Sequence, residues 1–348
     1  MESLLSDILA SRPDPLDVLR TTALVVKNAR QVHIDLDAIK RAADALVEQQ
    51  TDPPPWNYEY HYYDGTARTV NYLFLLDALN FSFWGRPRWN IEHNGHTLDG
   101  YWALAAALKR GAEENPDLLK ADYLARISPQ DLKDVLAGRG QIPLFEARWK
   151  NARELGTVLR DHWEGEAVRL IRAAHNDAGR LAQLVADNFA SFNDITTYGN
   201  REVRLFKRAQ IVVADIWGSF GGRESLASDP RGQGTRSGAG ASFKIKNIET
   251  LTAFADYKLP QILRAWGALQ YTPQLERRID QEVPLEASSP EEVEIRSATL
   301  WAVEFLRHEL SERGKRLWSV QVDWILWEAS QNLLPGMKPY HRVRSIYY

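Results

Sequence analysis

Residues 69–84 read TVNYLFLLDALNFSFW, a mostly apolar stretch that also contains Asn71, Asp77, Asn80 and five aromatic residues. Apolar side chains at nearly every position predict a helix that is buried on all sides. The stretch is shorter than the roughly 20 residues that a membrane-spanning helix needs. Since buried polar groups require hydrogen-bond partners, these three polar side chains must each meet a partner inside an aromatic-rich core.

The segments on either side of this helix favour helices as well. Apolar residues recur with helical spacing through most of the chain, and strand signals are few. The exception is YEYHYYDGTART, whose alternation and Asp64-Gly65 pair predict a small β-hairpin near residues 57–70. We therefore predict a mainly α fold. No clear linker divides the chain, so residues 1–348 are interpreted as one compact domain with an N-terminal part (about 1–145) and a C-terminal part (about 146–348).

The composition excludes several classes of protein and site. The chain has no cysteine, so disulfides, thiolate zinc sites and cysteine nucleophiles are excluded. The net charge of −3 disfavours a large polyanionic partner but is compatible with a small phosphorylated ligand. The first residues, MESLLSDILASRPDP, lack the basic region of a secretory signal. We therefore predict a cytoplasmic protein with no membrane partner and no stable nucleic-acid partner.

His93 and His96 are the best candidates for metal ligands. Together with Glu92 and Asp99 they have a composition that suits zinc, but Gly95 between them and the loop-like setting argue against a stiff ligand pair. No GxGxxG, P-loop, HExxH or GxSxG motif occurs in the chain. The sequence therefore predicts neither a metal nor a cofactor.

Four aspartates lie within apolar helical segments: Asp77 in FLLDALNF, Asp215 in IVVADIW, Asp256 in TAFADYKLP and Asp323 in VQVDWILW. A buried carboxylate is costly unless it is paired or hydrogen-bonded. Two interpretations are open for each. The aspartate caps a helix or pairs with a buried Lys or Arg, or it converges with another on a pocket where its pKa is shifted.

Five stretches in the same order resemble the queuosine salvage proteins: VNYLFLLDALNFSFW, KRAQIVVADIW, LTAFADYKLPQIL, EEVEIRS and PYHRVRSIYY. The resemblance runs from about residue 15 to the C-terminus. It implies an enzyme that hydrolyses the N-glycosidic bond of queuosine 5′-phosphate, a small-molecule substrate, and releases queuine and ribose 5-phosphate for salvage.

The family is similar in fold to the helix-hairpin-helix DNA glycosylases, which implies a glycosylase-like domain with its catalytic part in residues 146–348. In that superfamily an aspartate at the start of a helix serves the reacting sugar, and FADYKLPQILRAWGAL resembles this segment. The resemblance thus implies Asp256 as the catalytic residue. We expect the positive helix end to lower the pKa of Asp256. An ionised carboxylate near C1′ stabilises an oxocarbenium-like sugar and orients or deprotonates the attacking water.

Four residues are predicted to bind the base. The resemblance implies His61 and Phe254. Asp323 could accept hydrogen bonds from the guanidine-like edge, the amino side chain or the cyclopentene diol of the base. Trp327 lies one helical turn from Asp323 on the same face, and either stacks on the base or belongs to the core.

Three residues are predicted to bind the 5′-phosphate. Lys207 opens an apolar helix, so either it meets an anionic ligand or it pairs with Asp215 or another buried acid. The spacing from Lys207 to Asp215 is too long for a direct pair on one helix, which favours the ligand. Arg342 and Arg344 point to the same side of an extended segment, and we predict that Arg344, with Tyr347, reaches the phosphate.

The remaining polar residues are predicted to act indirectly. Asp77, Asn80 and Asp215 are interpreted as supporting the groups that touch the ligand, although direct contact stays open for Asp77 and Asn80. Glu294 and Arg296 in EEVEIRS are interpreted as a buried structural brace, each with its own partner.

Two other functions are compatible with such a fold. Base excision from a nucleic acid would require a basic face, and the Arg-bearing segment 223–236 is the only candidate arm. A queuosine-nucleotide binding protein without turnover would lack the acid at the reacting sugar, whereas Asp256 is present.

Overall fold

The computed structural model describes residues 1–222, 243–331 and 337–348. Helices dominate these residues, so the prediction of a mainly α fold is confirmed. The α-helices are α1 (Glu2–Ser11), α2 (Val18–Asn28), α3 (Leu36–Glu48), α4 (Ala67–Leu79), α5 (Gly100–Glu114), α6 (Ala121–Leu124), α7 (Pro129–Val135), α8 (Phe145–His162), α9 (Val168–Ala173), α10 (Ala178–Asn188), α11 (Lys207–Ser219), α12 (Lys258–Ala265), α13 (Pro273–Asp280), α14 (Pro290–Glu312) and α15 (Ser319–Gln331).

Short strands form three antiparallel pairs within the described residues. Two are local hairpins and one joins distant parts of the chain. The strands are β1 (Val32–Ile34) with β6 (Leu269–Tyr271), β2 (Asn90–His93) with β3 (His96–Asp99), and β4 (Ile195–Tyr198) with β5 (Arg201–Arg204).

The predicted hairpin near residues 57–70 is wrong in its position. No strand occurs there, and Asp64 instead organises the start of α4. Its Oδ1 accepts hydrogen bonds from the amide and hydroxyl of Thr66 and from the hydroxyl of Thr69, at 2.8 to 2.9 Å. A turn that does form a hairpin is Asn94-Gly95, between β2 and β3, where both residues have positive φ (48° and 80°), as a type I′ turn requires.

Helix α4 lies inside the protein, as the apolar sequence predicts. Every residue from Thr69 to Leu79 is buried. The side chain of Asn71 bridges two neighbouring segments, since its Nδ2 donates to the carbonyl of Leu119 and its Oδ1 accepts from the amide of Ala167, both at 3.0 Å. The polar group thus joins backbone segments that would otherwise leave unsatisfied atoms in the core.

The C-terminus of α4 is held by a buried cation. Arg208 in α11 donates to the carbonyls of Asp77 and Ala78 at 2.8 and 2.7 Å. These carbonyls lie in the last turn of the helix, where i+4 partners are missing, and the guanidinium satisfies them together with Asn151, which donates to the carbonyl of Ala78 at 3.0 Å. The helix ends at Leu79, and the irregular segment that follows runs along the cavity described below.

The helices that carry the predicted site residues meet around α4 and α14. Helix α11 packs on α4 and α10, while α14 packs on α12 and α15. Buried apolar residues from Leu5 to Tyr348 form one contiguous core. None of the described helices combines the length and the apolar character needed to cross a membrane.

Candidate functional site

A cavity of about 610 Å³ lies between α11, α15, the start of α5 and the segment that leads into α12. Its lining includes residues from both the N-terminal and the C-terminal part of the chain. The cavity brings together these predicted site residues: His61, Asn80, Lys207, Asp215, Phe254, Asp256, Asp323 and Trp327.

Asp256 lies just ahead of α12 and is almost completely buried at 8% exposure. Its Oδ1 accepts hydrogen bonds from the amides of Lys258 and Leu259, at 2.7 and 2.8 Å. These are the first amides of the helix, which have no partner within it. Oδ2 makes no hydrogen bond with any residue that the structure describes, so one oxygen is fixed by the backbone and the other is left for a ligand.

The predicted direction of the pKa shift at Asp256 is wrong. The two backbone amides and the positive charge of Lys207 do lower the pKa, as expected for a helix N-terminus. Burial acts in the opposite direction and is larger, so the pKa of Asp256 is raised above its usual value. The sequence could not reveal this balance, because it depends on how deeply the carboxyl is buried.

Lys207 opens α11 and is buried beside the acids. Burial lowers the pKa of its ammonium, while the negative charges of Asp256, Asp77 and Asp323 raise it. Within the described parts of the chain the ammonium forms no hydrogen bond or ion pair, and no direct pair with Asp215 exists. Lys207 therefore supplies a positive charge among several carboxyl groups without being bound to one of them.

Asp323 fixes the segment that precedes Asp256. Its Oδ1 accepts a hydrogen bond from the amide of Phe254 at 2.7 Å. Burial raises the pKa of Asp323 well above its usual value, and the negative charge of Asp256 adds to this shift. Trp327, one turn further along α15, lines the cavity with its edge against Tyr101 and Trp102, at ring-centre distances of 5.7 and 5.4 Å.

His61 is held at both ring nitrogens. Nδ1 lies 2.7 Å from the carbonyl oxygen of Asn57, and Nε2 lies 2.8 Å from the hydroxyl of Tyr101. Its ring packs on Trp56 at 4.3 Å between centres. Burial lowers the pKa of His61 to about 4, so the imidazole is uncharged at neutral pH.

The residues predicted to act indirectly divide into two groups. Asp215 and Asn80 line the cavity, whereas Asp77 lies behind it. Asn80 donates to Oδ1 of Asp77 at 3.3 Å, and burial raises the pKa of Asp77 to about 7. Asp215 Oδ2 lies 3.3 Å from the hydroxyl of Tyr101. Burial and the charge of Asp77 raise the pKa of Asp215 well above its usual value.

Two residues predicted to bind phosphate lie away from the cavity lining. The guanidinium of Arg344 stacks on Trp84 at 3.7 Å from the ring centre and donates to the carbonyl of the same residue. Tyr347 likewise is not among the lining residues. The geometry therefore does not support a phosphate contact for Arg344 or Tyr347.

Sequence reasoning missed two cations of the cavity lining, Arg88 and Lys258. The ammonium of Lys258 lies 5.7 Å above the ring of Tyr340, and Arg88 pairs with Asp99 at 2.8 Å. Lys258 carried a usable signal, because it lies two residues after Asp256 in the same motif. Arg88 carried none.

No group of three or more potential metal ligands occurs within residues 1–222, 243–331 and 337–348. His93 and His96 pair across the ends of β2 and β3, where the hairpin turns. The segment 223–236, considered above as a nucleic-acid-binding arm, lies outside the described residues.

The chain is similar to known proteins along most of its length. The model of a family described as queuosine salvage protein matches residues 60–348. A protein of Sphaerobacter thermophilus named queuosine 5′-phosphate N-glycosylase/hydrolase is 45% identical over 340 residues, which cover 98% of this chain and 100% of the relative. A protein of Mus musculus with the same name is 31% identical over 352 residues, which cover 96% and 99%.

Proposed function

The chain belongs to the queuosine salvage protein family, and we propose that it carries out the family's hydrolysis of queuosine 5′-phosphate in the cavity around Asp256. The protein is an N-glycosyl hydrolase that releases queuine from the nucleotide. The observation that supports this location is Asp256 itself. Two backbone amides fix one carboxyl oxygen, and the other oxygen has no partner among the described residues.

Asp256 acts on the sugar. As the bond to the base breaks, C1′ becomes electron-poor, and the free oxygen of Asp256 stabilises this charge and takes a proton from the attacking water. Lys207 supports the reactive state, because its positive charge favours the ionised carboxylate against the cost of burial. This contribution is distinct from the phosphate contact that the sequence predicts for Lys207, which stays a prediction.

The aromatic end of the cavity receives the base. Trp327, Trp102 and Tyr101 pack edge to face around it, and a planar ring can stack on such a wall. Asp323 and Phe254 line the same cavity, and the hydrogen bond between them ties α15 to the segment that carries Asp256.

The 5′-phosphate is bound by two cations of the lining, Lys258 and Arg88. Both also line a smaller cavity of about 220 Å³. Two cations that line both cavities are suited to a phosphate.

Lys258→Met is expected to remove the advantage of the nucleotide over the nucleoside. Losing one charge-assisted hydrogen bond should raise KM for queuosine 5′-phosphate by about 10- to 100-fold and leave the nucleoside unaffected. Steady-state kinetics on both substrates measure this. The matched variant Lys207→Met should instead lower kcat on both the nucleotide and the nucleoside. The proposal is wrong if Lys207→Met abolishes the preference for the nucleotide and Lys258→Met retains it.

Trp327→Ala is expected to weaken binding of the base. Loss of one stacking contact should raise KM by about 10- to 100-fold, since such contacts contribute about 1–3 kcal/mol each. Trp327→Phe, which keeps a ring, should recover most of the affinity. Trp318→Ala removes the same group from a tryptophan outside the lining and serves as the control. An unchanged KM in Trp327→Ala would assign this residue to the core.

The activity itself is tested by incubating the purified protein with queuosine 5′-phosphate and separating the products by chromatography. Release of free queuine with ribose 5-phosphate is expected. Binding of the nucleotide without release of the base would reject the proposed function and favour the binding protein instead.

A further inference from the structure

The side chains of His61, Tyr101 and Asp215 form a continuous row along the cavity wall. The Tyr101 hydroxyl lies between His61 Nε2, at 2.8 Å, and Asp215 Oδ2, at 3.3 Å. On the far side of the ring, His61 Nδ1 lies 2.7 Å from the carbonyl oxygen of Asn57. All three side chains line the cavity, and His61 and Asp215 are buried.

The direction of these hydrogen bonds follows from what each atom can donate. A carbonyl oxygen only accepts, so His61 Nδ1 carries a hydrogen. Tyr101 has a single hydroxyl hydrogen and two neighbours that can take it. If the hydrogen points to His61, the imidazole is neutral and Asp215 can donate to the tyrosine oxygen as a carboxylic acid. If it points to Asp215, His61 Nε2 donates to the tyrosine oxygen, and the imidazole then carries a hydrogen on both nitrogens and a positive charge.

The surroundings favour the first arrangement. Burial lowers the pKa of His61 to about 4, which disfavours the imidazolium. Burial and the negative charges of Asp77 and Asp323 raise the pKa of Asp215, while the hydrogen bond with Tyr101 and the positive charge of Lys207 only partly oppose them. Both shifts favour the arrangement in which Asp215 carries the proton, and its carboxyl group lines the same cavity as Asp256.

We propose that Asp215 is the general acid that protonates the departing base, and that Tyr101 and His61 are positioning residues that hold its proton ready. This inference rests on the proposed function. The need for such an acid comes from the substrate, because a 7-deazaguanine has no N7 to accept a proton and its departure leaves negative charge on the ring.

The proposed step balances as follows. The bond between C1′ and the base nitrogen breaks, and its electron pair stays on that nitrogen. The nitrogen takes the proton that Asp215 until then donates to the Tyr101 oxygen. The oxygen of water bonds to C1′, and the water proton goes to Asp256. The Tyr101 hydroxyl then turns from His61 to the newly formed carboxylate of Asp215. Transfer of a proton from Asp256 to Asp215 through solvent restores both groups, and one water is consumed in total.

Asp215→Asn is the decisive variant. The amide has the shape of the neutral acid but no acidic proton, so folding and binding should be preserved. We expect kcat for queuosine 5′-phosphate to fall by about 10²- to 10³-fold with KM within about threefold of the original protein. Tyr101→Phe keeps the ring contacts with Trp102 and Trp327, and should lower kcat by about tenfold with the same KM.

Each outcome decides the question. A kcat for Asp215→Asn within about threefold of the original protein overturns the proposal. A loss that appears in KM instead also overturns it, because it would make Asp215 an ionised group that binds the substrate. If Asp215→Asn fails to fold, judged by its melting temperature, Tyr101→Phe decides by the same criterion. Absence of queuine release by the unmodified protein would reject the proposed function rather than this step.

Discussion

Asp256→Asn is expected to lower kcat for queuosine 5′-phosphate by about three orders of magnitude while KM changes by only a few-fold. The amide keeps an oxygen that accepts from the amides of Lys258 and Leu259, so the start of α12 is preserved. It lacks the negative charge that stabilises C1′ and the basicity that takes a proton from water. The change therefore removes interactions that are made in the transition state rather than in the bound substrate.

The control for this variant is the same substitution at an exposed site. Asp187 lies on the surface of α10, where it accepts a hydrogen bond from Gln183, so Asp187→Asn should retain full activity. Single-turnover measurements at saturating substrate separate chemistry from binding. Full activity in Asp256→Asn would reject the assignment, and a nucleotide-soaked crystal with this side chain far from C1′ would reject it independently.

The raised pKa of Asp256 gives Lys207 a specific role. A carboxyl that is buried without a nearby cation would be protonated and unable to act on the sugar. The Lys207 charge lowers that pKa without forming an ion pair that would occupy the carboxyl oxygens. A direct pair would compete with the water and the sugar for the same lone pairs.

The sequence predicted those site residues that stand out from their surroundings. Charged residues occur in otherwise apolar helices at Asp215, Asp323 and Lys207. The free-energy cost of burying such groups indicated that they meet partners or a common pocket. Tyr101 and Arg88 could not be predicted in this way, because they flank the polar hairpin of β2 and β3. Only the packing of that hairpin and α5 brings them to the cavity.

The misplaced hairpin shows a related limit. Asp64-Gly65 and Asn94-Gly95 are both favourable turn pairs, and the residues around the first have strand-like alternation. Asp64, however, is followed by Thr66 and Thr69, whose hydroxyls donate to its carboxylate at the start of α4. Helix capping and burial of the apolar α4 together outweigh the local preference for a turn between strands.

Arg296→Met is expected to lower the free energy of unfolding by about 3–5 kcal/mol. Its guanidinium bonds both carboxyl oxygens of Asp194, at 3.0 and 2.5 Å, and both side chains are only 3% exposed. Removing the cation leaves a buried carboxylate whose charge is no longer compensated, which is the costly case. The predicted brace is thus confirmed, since each of its two residues has its own buried partner. Arg296 pairs with Asp194, and Glu294 accepts hydrogen bonds from the backbone of residues 30–32.

The Arg296–Asp194 pair also holds residues of the candidate site in place. Arg296 donates to the carbonyl of Ala255 at 3.1 Å, one residue before Asp256, and Asp194 accepts from the amide of Lys207 at 3.3 Å. We therefore expect Arg296→Met to reduce kcat as well as the denaturation midpoint. Arg160→Met, which removes an exposed ion pair with Asp161, is the matched control and should change neither. If Arg296→Met unfolds at the same denaturant concentration as the original protein, the pair does not stabilise the fold. A loss of kcat could then not be attributed to the weakened brace.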